Sequence, residues 1–376
     1  MNLRTLANPR ILDQPTYTPG KPSELVADEY GLSVDEIIKL ASNENPWGAS
    51  PNAIRSGKDA LKSVHLYPDG SGTALIKKLS EKFKLPNNQF ILGNGSNEII
   101  ELLGHVFLEK GDEVIFGEHA FAVYRLVTML MGGTPVSVEM PNLKHDLEAF
   151  LVSITDRTKI IFLPSPNNPT GTANSNEEIL HFIENLPDHV ILCFDEAYAE
   201  YLESPTDLIP SINSGKKIIC LRTFSKIHGL AGLRLGYGYG SPEMIQLLQK
   251  ARQPFNANSI AQSAAIGALE DESWVIQCRR RNLIGLKQME TGLGELGLSF
   301  IESSANFILV QVGNGQRAFD ELQKQGVITR PLPNKLSQYL RISIGTEIEN
   351  EKALHALAQI MSSLASACSL TLFLCS

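Results

Sequence analysis

The middle of the chain contains three short apolar runs, Ile160-Ile-Phe-Leu163, Val190-Ile-Leu-Cys-Phe194 and Ile218-Ile-Cys-Leu221. Their starts are separated by 30 and 28 residues, close to the roughly 30 residues of one β-α-β unit. A run that is apolar throughout is typical of a strand buried on both faces, and the stretches between these runs are amphipathic. This part of the sequence therefore predicts a parallel sheet covered by helices.

The alternation continues on both sides of these runs. Three earlier runs are Phe90-Ile-Leu92, Glu113-Val-Ile-Phe116 and Pro135-Val-Ser-Val138. After about residue 260 the pattern is mostly helical, with a long charged helix predicted from Glu270 to Leu296. Two later runs, Asn306-Phe-Ile-Leu-Val310 and Leu340-Arg-Ile-Ser-Ile344, predict a smaller α+β domain. We expect an N-terminal arm with part of the small domain at 1–47, a large α/β domain at 48–257 and a small domain at 258–376.

Composition narrows the class of protein. The 376 residues are 43% hydrophobic and 20% charged, which is typical of a globular protein, and the net charge of -8 gives no basic field for nucleic acid or anionic lipid. The five cysteines show no C-x-x-C spacing, and we expect neither an export signal nor a membrane span, since no suitable apolar stretch occurs. We expect a cytoplasmic protein with no membrane or nucleic-acid partner.

Polar residues follow each run, where an open α/β sheet binds its ligands. Gly93-Asn-Gly95-Ser96-Asn97-Glu98 follows the first run and could cradle a phosphate at the start of a helix. The pattern also suggests an NAD-dependent dehydrogenase, but Glu98 stands where the dinucleotide fingerprint needs a third glycine. Asn168, in Pro164-Ser-Pro-Asn-Asn168-Pro-Thr-Gly171, follows the next run considered and can project into the cleft.

A carboxylate and a lysine follow the last two runs. Asp195 ends a strand that we expect to be buried, where a charge is costly without a partner cation. An Asp-Glu strand end also resembles a P-loop ATPase, but no G-x-x-x-x-G-K-[ST] occurs. Lys226 and Arg234 follow the last run. The Lys226 amine could be nucleophilic toward an aldehyde, and the Arg234 guanidinium could bind a phosphate. A molecule with an aldehyde, a phosphate and a protonated ring nitrogen would find a suitable partner at each of the four strand ends. Pyridoxal 5'-phosphate is such a molecule.

With these residues together, the chain resembles the fold-type I, class I/II pyridoxal-phosphate-dependent aminotransferases. Within that superfamily it is similar to the histidinol-phosphate aminotransferases. The motifs that carry this second likeness are Ala41-Ser-Asn-Glu-Asn-Pro46, Leu66-Tyr-Pro-Asp-Gly70, Ser165-Pro-Asn-Asn-Pro-Thr-Gly171, the lysine motif and Leu340-Arg-Ile-Ser-Ile-Gly-Thr346. The resemblance implies a mostly parallel central sheet with helices on both faces, plus a smaller α+β domain.

The resemblance also implies roles for the cofactor site. Lys226 would bond the cofactor aldehyde and move the substrate proton, and Asp195 would face the ring nitrogen. Asn168 and Tyr198 would contact the phenolic oxygen, and Phe121 would stack on the ring. The phosphate would be held by Gly95, Ser96, Asn97, Thr223, Ser225 and Arg234, with Tyr67 reaching it from a neighbouring subunit. Lys226, Asp195 and Tyr198 are the expected catalytic residues, and a homodimer follows because the site needs both subunits.

For the substrate, the resemblance implies Arg341 as the anion contact, Arg330 as a second one, and Asn45 and Tyr17 as lining residues. The expected reaction converts histidinol phosphate and 2-oxoglutarate to imidazole-acetol phosphate and glutamate, in histidine biosynthesis. An aromatic-amino-acid aminotransferase and a threonine-phosphate decarboxylase remain alternatives on the same fold. We expect no bound metal, and we interpret His228 as an ordinary helix residue.

Overall fold

The computed structural model describes residues 2–12, 14–16 and 20–373, with side chains described as far as Ser362. The α-helices are α1 Leu3–Leu6, α2 Pro9–Leu12, α3 Ser23–Tyr30, α4 Pro51–Ala60, α5 Thr73–Phe83, α6 Ser96–Phe107, α7 Ala122–Met131, α8 Leu147–Val152, α9 Asn176–Glu184, α10 Ile209–Asn213, α11 Pro242–Ala251, α12 Ser259–Leu269, α13 Glu272–Glu295, α14 Gly315–Lys324 and α15 Glu347–Phe373. The strands are β1 Ile38–Lys39, β2 Phe90–Gly93, β3 Glu113–Gly117, β4 Thr134–Val138, β5 Thr158–Pro164, β6 Ile191–Asp195, β7 Ile218–Thr223, β8 Gly236–Gly240, β9 Phe300–Ile301, β10 Phe307–Gln311, β11 Val327–Ile328, β12 Arg330–Pro331 and β13 Tyr339–Ser343. Short 3-10 helices lie at Val34–Glu36, Leu61–Ser63, Asn87–Gln89, Pro141–Leu143, Ala199–Tyr201, Ala231–Leu233 and Asn334–Leu336.

Seven strands form the central sheet, in the order β2-β8-β7-β6-β5-β3-β4. Strand β8 runs antiparallel to both of its neighbours, and the other adjacent strands are parallel. Each of the six apolar runs between residues 90 and 221 is one of these strands. The predicted α/β fold with a mostly parallel sheet is confirmed.

Side chains of the central strands alternate between two buried layers, as a parallel sheet covered on both faces requires. Ile161 and Leu192 pack into one layer with apolar residues of α5, α9 and α12. Phe162 and Cys193 pack into the other layer with residues of α6, α7 and α11. This double burial explains why the runs are apolar at every position rather than at every second one.

The sequence-based prediction missed β8, which reads Gly236-Tyr-Gly-Tyr-Gly240. Glycine is depleted in strands, so this stretch did not resemble an apolar run. Its glycines allow close approach of other backbone segments: a Cβ on Gly236 would lie 2.5 Å from the backbone nitrogen of Ser96. Strand β8 therefore lets the first turn of α6 lie against the edge of the sheet where the phosphate site was predicted.

The chain forms two compact units. In the described residues, unit 1 contains 2–12, 14–16 and 48–276, and unit 2 contains 20–47 and 277–373. The boundary lies after Ile276 rather than after residue 257, because α12 packs on α4 and α5 of unit 1. The N-terminal residues also pack on unit 1, where Gln14 Nε2 donates to the Leu126 carbonyl at 2.9 Å.

Unit 2 is built around a four-stranded antiparallel sheet in the order β12-β13-β10-β9 and a parallel pair of β1 with β11. Its core includes side chains of α13, α14 and α15. Two of the sequence motifs meet here: the Asn43 backbone donates to Ser343 Oγ at 2.8 Å, and Ser343 Oγ donates to Asn43 Oδ1 at 3.0 Å. These contacts give a structural reason for both motifs to be present in one chain.

Candidate active site

The carboxyl ends of β5, β6 and β7 lie level with one another at one edge of the central sheet. Asp195 is in register with Pro164 on one side and with Leu221 on the other. A cavity of about 160 Å³ opens at this edge. It is lined by Ser96, Asn97, Phe121, Tyr124, Pro164, Pro166, Asn168, Asp195, Ala197, Tyr198, Thr223, Ser225, Lys226 and Arg234. The structure therefore brings ten of the predicted cofactor contacts into one cavity.

One end of the cavity has the features of an anion site. Helix α6 begins at Ser96, so its unpaired backbone N–H groups and its dipole lie there. Arg234 Nη1 donates to Ser225 Oγ at 3.2 Å, and the Ser225 backbone donates to Thr223 Oγ1 at 3.0 Å. Gly95, with φ 74°, leaves room for this guanidinium: a Cβ there would lie 2.5 Å from Arg234 Nη2. A phosphate fits this set of donors.

Glu98 has a local role that the sequence analysis did not foresee. It accepts hydrogen bonds from the Asn94 backbone at 2.5 Å and from Asn256 Nδ2 at 2.7 Å. The side chain therefore closes the turn between β2 and α6. A dinucleotide fingerprint uses a glycine at this position, and the closed turn here is consistent with a single phosphate.

Asp195 lines the cavity and is 5% exposed. Tyr124 Oη donates to its Oδ2 at 2.7 Å, and the Ala197 backbone donates to its Oδ1 at 3.0 Å. Burial raises the pKa of the Asp195 carboxyl above its usual range, although these two donors and the Lys226 charge act in the opposite direction. A cationic ring nitrogen fits this carboxylate better than a neutral group does.

Lys226 is half-buried, and its Nζ lies 5.5 Å from the centre of the Tyr198 ring. Asn168 lies in the turn after β5, where its neighbour Asn167 is held by the His119 carbonyl and Thr170 Oγ1 at 3.0 and 2.8 Å. The amine, the carboxylate and the anion site together fit the aldehyde, ring nitrogen and phosphate of pyridoxal phosphate.

His228, interpreted from the sequence as a helix residue, lies in a turn and is 4% exposed. Its ring is 5.1 Å from that of Phe224, between centroids. Burial lowers the pKa of His228 to about 4.

Two features of this region were missed from the sequence. Tyr124 was not recognised as a partner of Asp195, because the contact joins residues 71 positions apart. The other is a buried ionic cluster behind the strand ends. In it Arg222 Nη2 contacts Glu196 Oε1 at 3.0 Å, Arg222 Nη1 contacts Glu200 Oε1 at 3.2 Å, and Tyr239 Oη donates to Glu196 Oε2 at 2.6 Å. The sequence signal for this ionic cluster is Arg222, a charged residue that stands between an apolar run and Thr223.

The predicted substrate residues belong to unit 2, apart from Tyr17, which lies outside the described residues. Arg341 of β13 is directly opposite Arg330 of β12, and its Nη2 donates to the Ala41 carbonyl at 2.5 Å. Asn45 accepts from the Trp47 backbone at 3.1 Å and donates to Cys278 Sγ at 3.3 Å. These roles remain predictions.

Tyr67 belongs to unit 1 and does not line the cavity of its own chain. Its side chain is 83% exposed and stacks on Phe255, with ring centroids 4.8 Å apart. Its role also remains a prediction.

Among the described residues, none of the helices combines the length and the apolar character of a membrane span. The histidine, cysteine and carboxylate side chains of that part form no group of three suited to a metal ion.

Comparison with known proteins decides the family. The family model for aminotransferase class I and II matches residues 35–357. The chain belongs to this family. The resemblance inferred from the motifs is thus confirmed, and the cavity at the strand ends is the candidate active site of an aminotransferase.

Curated relatives of this aminotransferase cover nearly its whole length. It is 43% identical to histidinol-phosphate aminotransferase 2 of Nitrosospira multiformis, over 95% of this chain and 92% of that protein. It is 44% identical to histidinol-phosphate aminotransferase 2 of Pseudomonas fluorescens, over 95% and 97%. A solved structure, that of histidinol-phosphate aminotransferase from Sinorhizobium meliloti in complex with pyridoxal 5'-phosphate, superposes with a TM-score of 0.87 at 25% identity, over 95% of this chain and 98% of that one.

Proposed function

We propose that the chain is a pyridoxal-phosphate-dependent transaminase that converts histidinol phosphate and 2-oxoglutarate to imidazole-acetol phosphate and glutamate. The observation that carries the proposal is one cavity lined by Lys226, the buried carboxylate of Asp195 and the anion site around Arg234. The names of the relatives, at 43 and 44% identity, support the substrate and a role in histidine biosynthesis.

The residues of the cavity divide the work of binding and proton transfer. Arg234, Ser225 and the start of α6 would hold the phosphate, and Phe121 would flank the ring. When bound, the cofactor supplies an electron-accepting ring. Lys226 would hold the cofactor and then carry a proton to and from the substrate α-carbon, while Asp195 would keep the ring nitrogen protonated. Asn168 and Tyr198 would orient the ring through its phenolic oxygen.

Arg341 and Arg330 would bind the substrate anion. They lie directly opposite each other on neighbouring antiparallel strands, so both side chains extend from the same face of the sheet and can reach one anion. Both amines of the reaction carry such an anion: histidinol phosphate, the amino donor, has a phosphate, and glutamate, the amine formed, has carboxylates. The planar guanidinium suits either group.

We also propose a homodimer in which Tyr67 completes the phosphate site of the other subunit. Its surroundings are exposed and apolar: Leu61, Val64 and Leu66 are 52, 59 and 60% exposed. A cluster of this kind on one segment is typical of a surface that a partner covers. The buried thiols of Cys193, Cys220 and Cys278, all free, support a cytoplasmic enzyme.

Loading the purified protein with pyridoxal phosphate tests the chemistry. We expect a visible absorbance band that borohydride removes and that Lys226→Ala lacks, whereas Lys324→Ala, at an exposed lysine, keeps it. Half-reactions with histidinol phosphate, phenylalanine and phosphothreonine then rank the substrates. A faster reaction with phenylalanine, or release of carbon dioxide from phosphothreonine, would replace the proposed substrate.

Mixing two variants tests the shared site. Tyr67→Ala and Lys226→Ala should each have little activity alone. Random reassociation gives hybrid dimers in which one of the two sites has both residues, so that about a quarter of wild-type activity should return. No recovery in hybrids of proven composition would contradict a site shared between subunits.

A further inference from the structure

Tyr124 is fully buried beside the cavity, in the first turn of α7. Its ring is stacked on Phe162 of β5, with centroids 4.6 Å apart and planes 6° from parallel. The ring of Phe121 meets it edge-on, with centroids 5.8 Å apart. These contacts fix the ring, and they would be made equally well by a phenylalanine.

The hydroxyl of Tyr124 therefore needs a separate reason. A buried tyrosine O–H requires a hydrogen-bond partner, and this one donates to Asp195 Oδ2 at 2.7 Å. Burial and the neighbouring Asp195 charge raise the pKa of the Tyr124 phenol well above its ordinary value, so it stays a proton donor. The partner it has is the carboxylate assigned to the ring nitrogen.

Each oxygen of Asp195 has one donor from the protein. Oδ2 accepts from Tyr124, and Oδ1 accepts from the Ala197 backbone. The charged groups that act on the carboxyl are Glu196, which follows it on the chain, and Lys226, which follows β7. The Tyr124 hydroxyl is the one side-chain hydrogen bond to Asp195 in the described residues.

We propose that Tyr124 is a positioning residue whose hydroxyl holds Asp195 ionised and aims it at the ring nitrogen of the cofactor. This inference rests on the proposed function, because it assumes that Asp195 faces that nitrogen. Tyr124 acts through Asp195 on the ring nitrogen, and the phenylalanine variant keeps the packing and removes only the hydroxyl.

Tyr239 provides a matched control. Its side chain is 2% exposed, and its hydroxyl also donates to a buried carboxylate, that of Glu196, at 2.6 Å. It does not line the cavity. Tyr124→Phe and Tyr239→Phe thus each delete one buried hydroxyl-to-carboxylate hydrogen bond, and their effects on stability should be similar. Only the first should change how the protein treats the ring nitrogen.

The test measures binding of two aldehyde-free analogues to the apoprotein. One is 4'-deoxypyridoxine 5'-phosphate, and the other is its 1-deaza form, in which a C–H replaces the ring nitrogen. The wild type should prefer the nitrogen compound. We expect Tyr124→Phe to reduce that preference about tenfold, the size of one hydrogen bond to a charged group. Tyr239→Phe should keep the preference within about twofold.

Asp195→Asn tests the role of Asp195 separately from the role of Tyr124. If Tyr124 acts through Asp195, Asp195→Asn removes the preference and Tyr124→Phe adds nothing in that background. An unchanged preference in Tyr124→Phe, with loss in Asp195→Asn, would overturn the role of Tyr124 alone. An unchanged preference in Asp195→Asn would overturn the proposed pairing of Asp195 with the ring nitrogen.

Steady-state kinetics give a second readout. In Tyr124→Phe, kcat should fall about tenfold while KM for both substrates stays within about twofold, because the lost interaction concerns the ring nitrogen and not substrate binding. Equal losses of kcat in both tyrosine variants would indicate a purely structural role and contradict the proposal.

Discussion

Asp195 and Glu196 are consecutive carboxylates at the end of one strand, yet their surroundings differ in charge. Glu196 is 1% exposed and is paired with the Arg222 guanidinium through both of its oxygens. Asp195 is 5% exposed and accepts from two neutral groups, and no ion pair reaches it within the described residues. Tyr124, the partner of Asp195, belongs to one buried layer and Tyr239, the partner of Glu196, to the other, so the two carboxylates point to different sides of the sheet.

The comparison separates a carboxylate that is ion-paired inside the protein from one that we propose to be functional. Burial of a carboxylate is costly, and Arg222 offsets that cost for Glu196 inside the protein. For Asp195, two neutral donors and the Lys226 charge offset only part of that cost, since the pKa of the carboxyl stays raised, and a cation that arrives with a ligand can offset the rest. Of the two carboxylates, Asp195 lines the cavity, and Glu196, which is paired with Arg222, does not.

The largest expected effect on stability concerns Glu196, the carboxylate that is paired with Arg222. Arg222→Met leaves Glu196 buried without its cation, and the free energy of unfolding of the apoprotein should fall by about 3–5 kcal/mol in urea denaturation. Adding Glu196→Gln should recover part of this loss, since the uncompensated charge is then gone.

Lys324→Met is the control for Arg222→Met, because the Lys324–Glu321 ion pair is exposed, with 52 and 40% of its side chains accessible. Its denaturation midpoint should equal that of the wild type. A loss below about 1 kcal/mol in Arg222→Met would show that Glu196 does not depend on Arg222, and the contrast between the carboxylates would be removed.

Local sequence patterns predicted much of this architecture. The apolar runs predicted six strands of the central sheet, because a strand buried on both faces is apolar at nearly every position. Residues at the strand ends lie close together because parallel strands end at one edge of the sheet. Strand β8 was missed since its alternating glycines serve close backbone approach, which hides the strand from an apolar pattern. The domain boundary was placed too early because the packing of α12 on α4 is a tertiary contact.

The contrast between Asp195 and Glu196 could not be read from the sequence. It depends on which cation or hydroxyl comes near each carboxylate from elsewhere in the chain, over separations of 26 residues for Arg222 and 71 for Tyr124. No local pattern reports such a distance. The same holds for the role of Glu98, whose partner Asn256 is 158 residues away.

A second, smaller effect on stability concerns His228, whose pKa is influenced by Arg222 and Glu200 of the ionic cluster. Its pKa is lowered from 6.5 to about 4, mainly by burial, with Arg222 acting in the same direction and Glu200 against it. A histidine with a lowered folded pKa favours the fold above pH 6.5, and that contribution is lost as the pH falls toward about 4. The loss at pH 4 should be about 3 kcal/mol.

Thermal unfolding between pH 7 and 4 checks this expectation. His228→Gln should flatten the acid side of the profile, because glutamine does not bind the proton. His105→Gln is the control, since His105 is half-exposed and its partner Glu101 lies on the same helix face. Equal profiles for the wild type and His228→Gln would mean that the histidine is charged in the fold and belongs to the ion balance around Arg222.

The smallest effect on stability concerns Asp195. Here the substitution is expected to stabilise the apoprotein rather than destabilise it. The folded pKa of Asp195 is raised, so the apoprotein fold is favoured below the unfolded value of 3.8 and loses that contribution as the pH rises through the folded pKa. Removing the charge should therefore stabilise the apoprotein at pH 8. Asparagine offers one acceptor to the two donors, Tyr124 and Ala197, so the gain is best measured in Tyr124→Phe, where one donor is absent. There Asp195→Asn should raise the free energy of unfolding on the order of 1 kcal/mol at pH 8, as substitutions at functional positions commonly do, and the gain should vanish below pH 3.8. A loss of stability at pH 8 would mean that the carboxylate is already balanced without the cofactor, and Asp195 would then differ from Glu196 only in its place in the cavity.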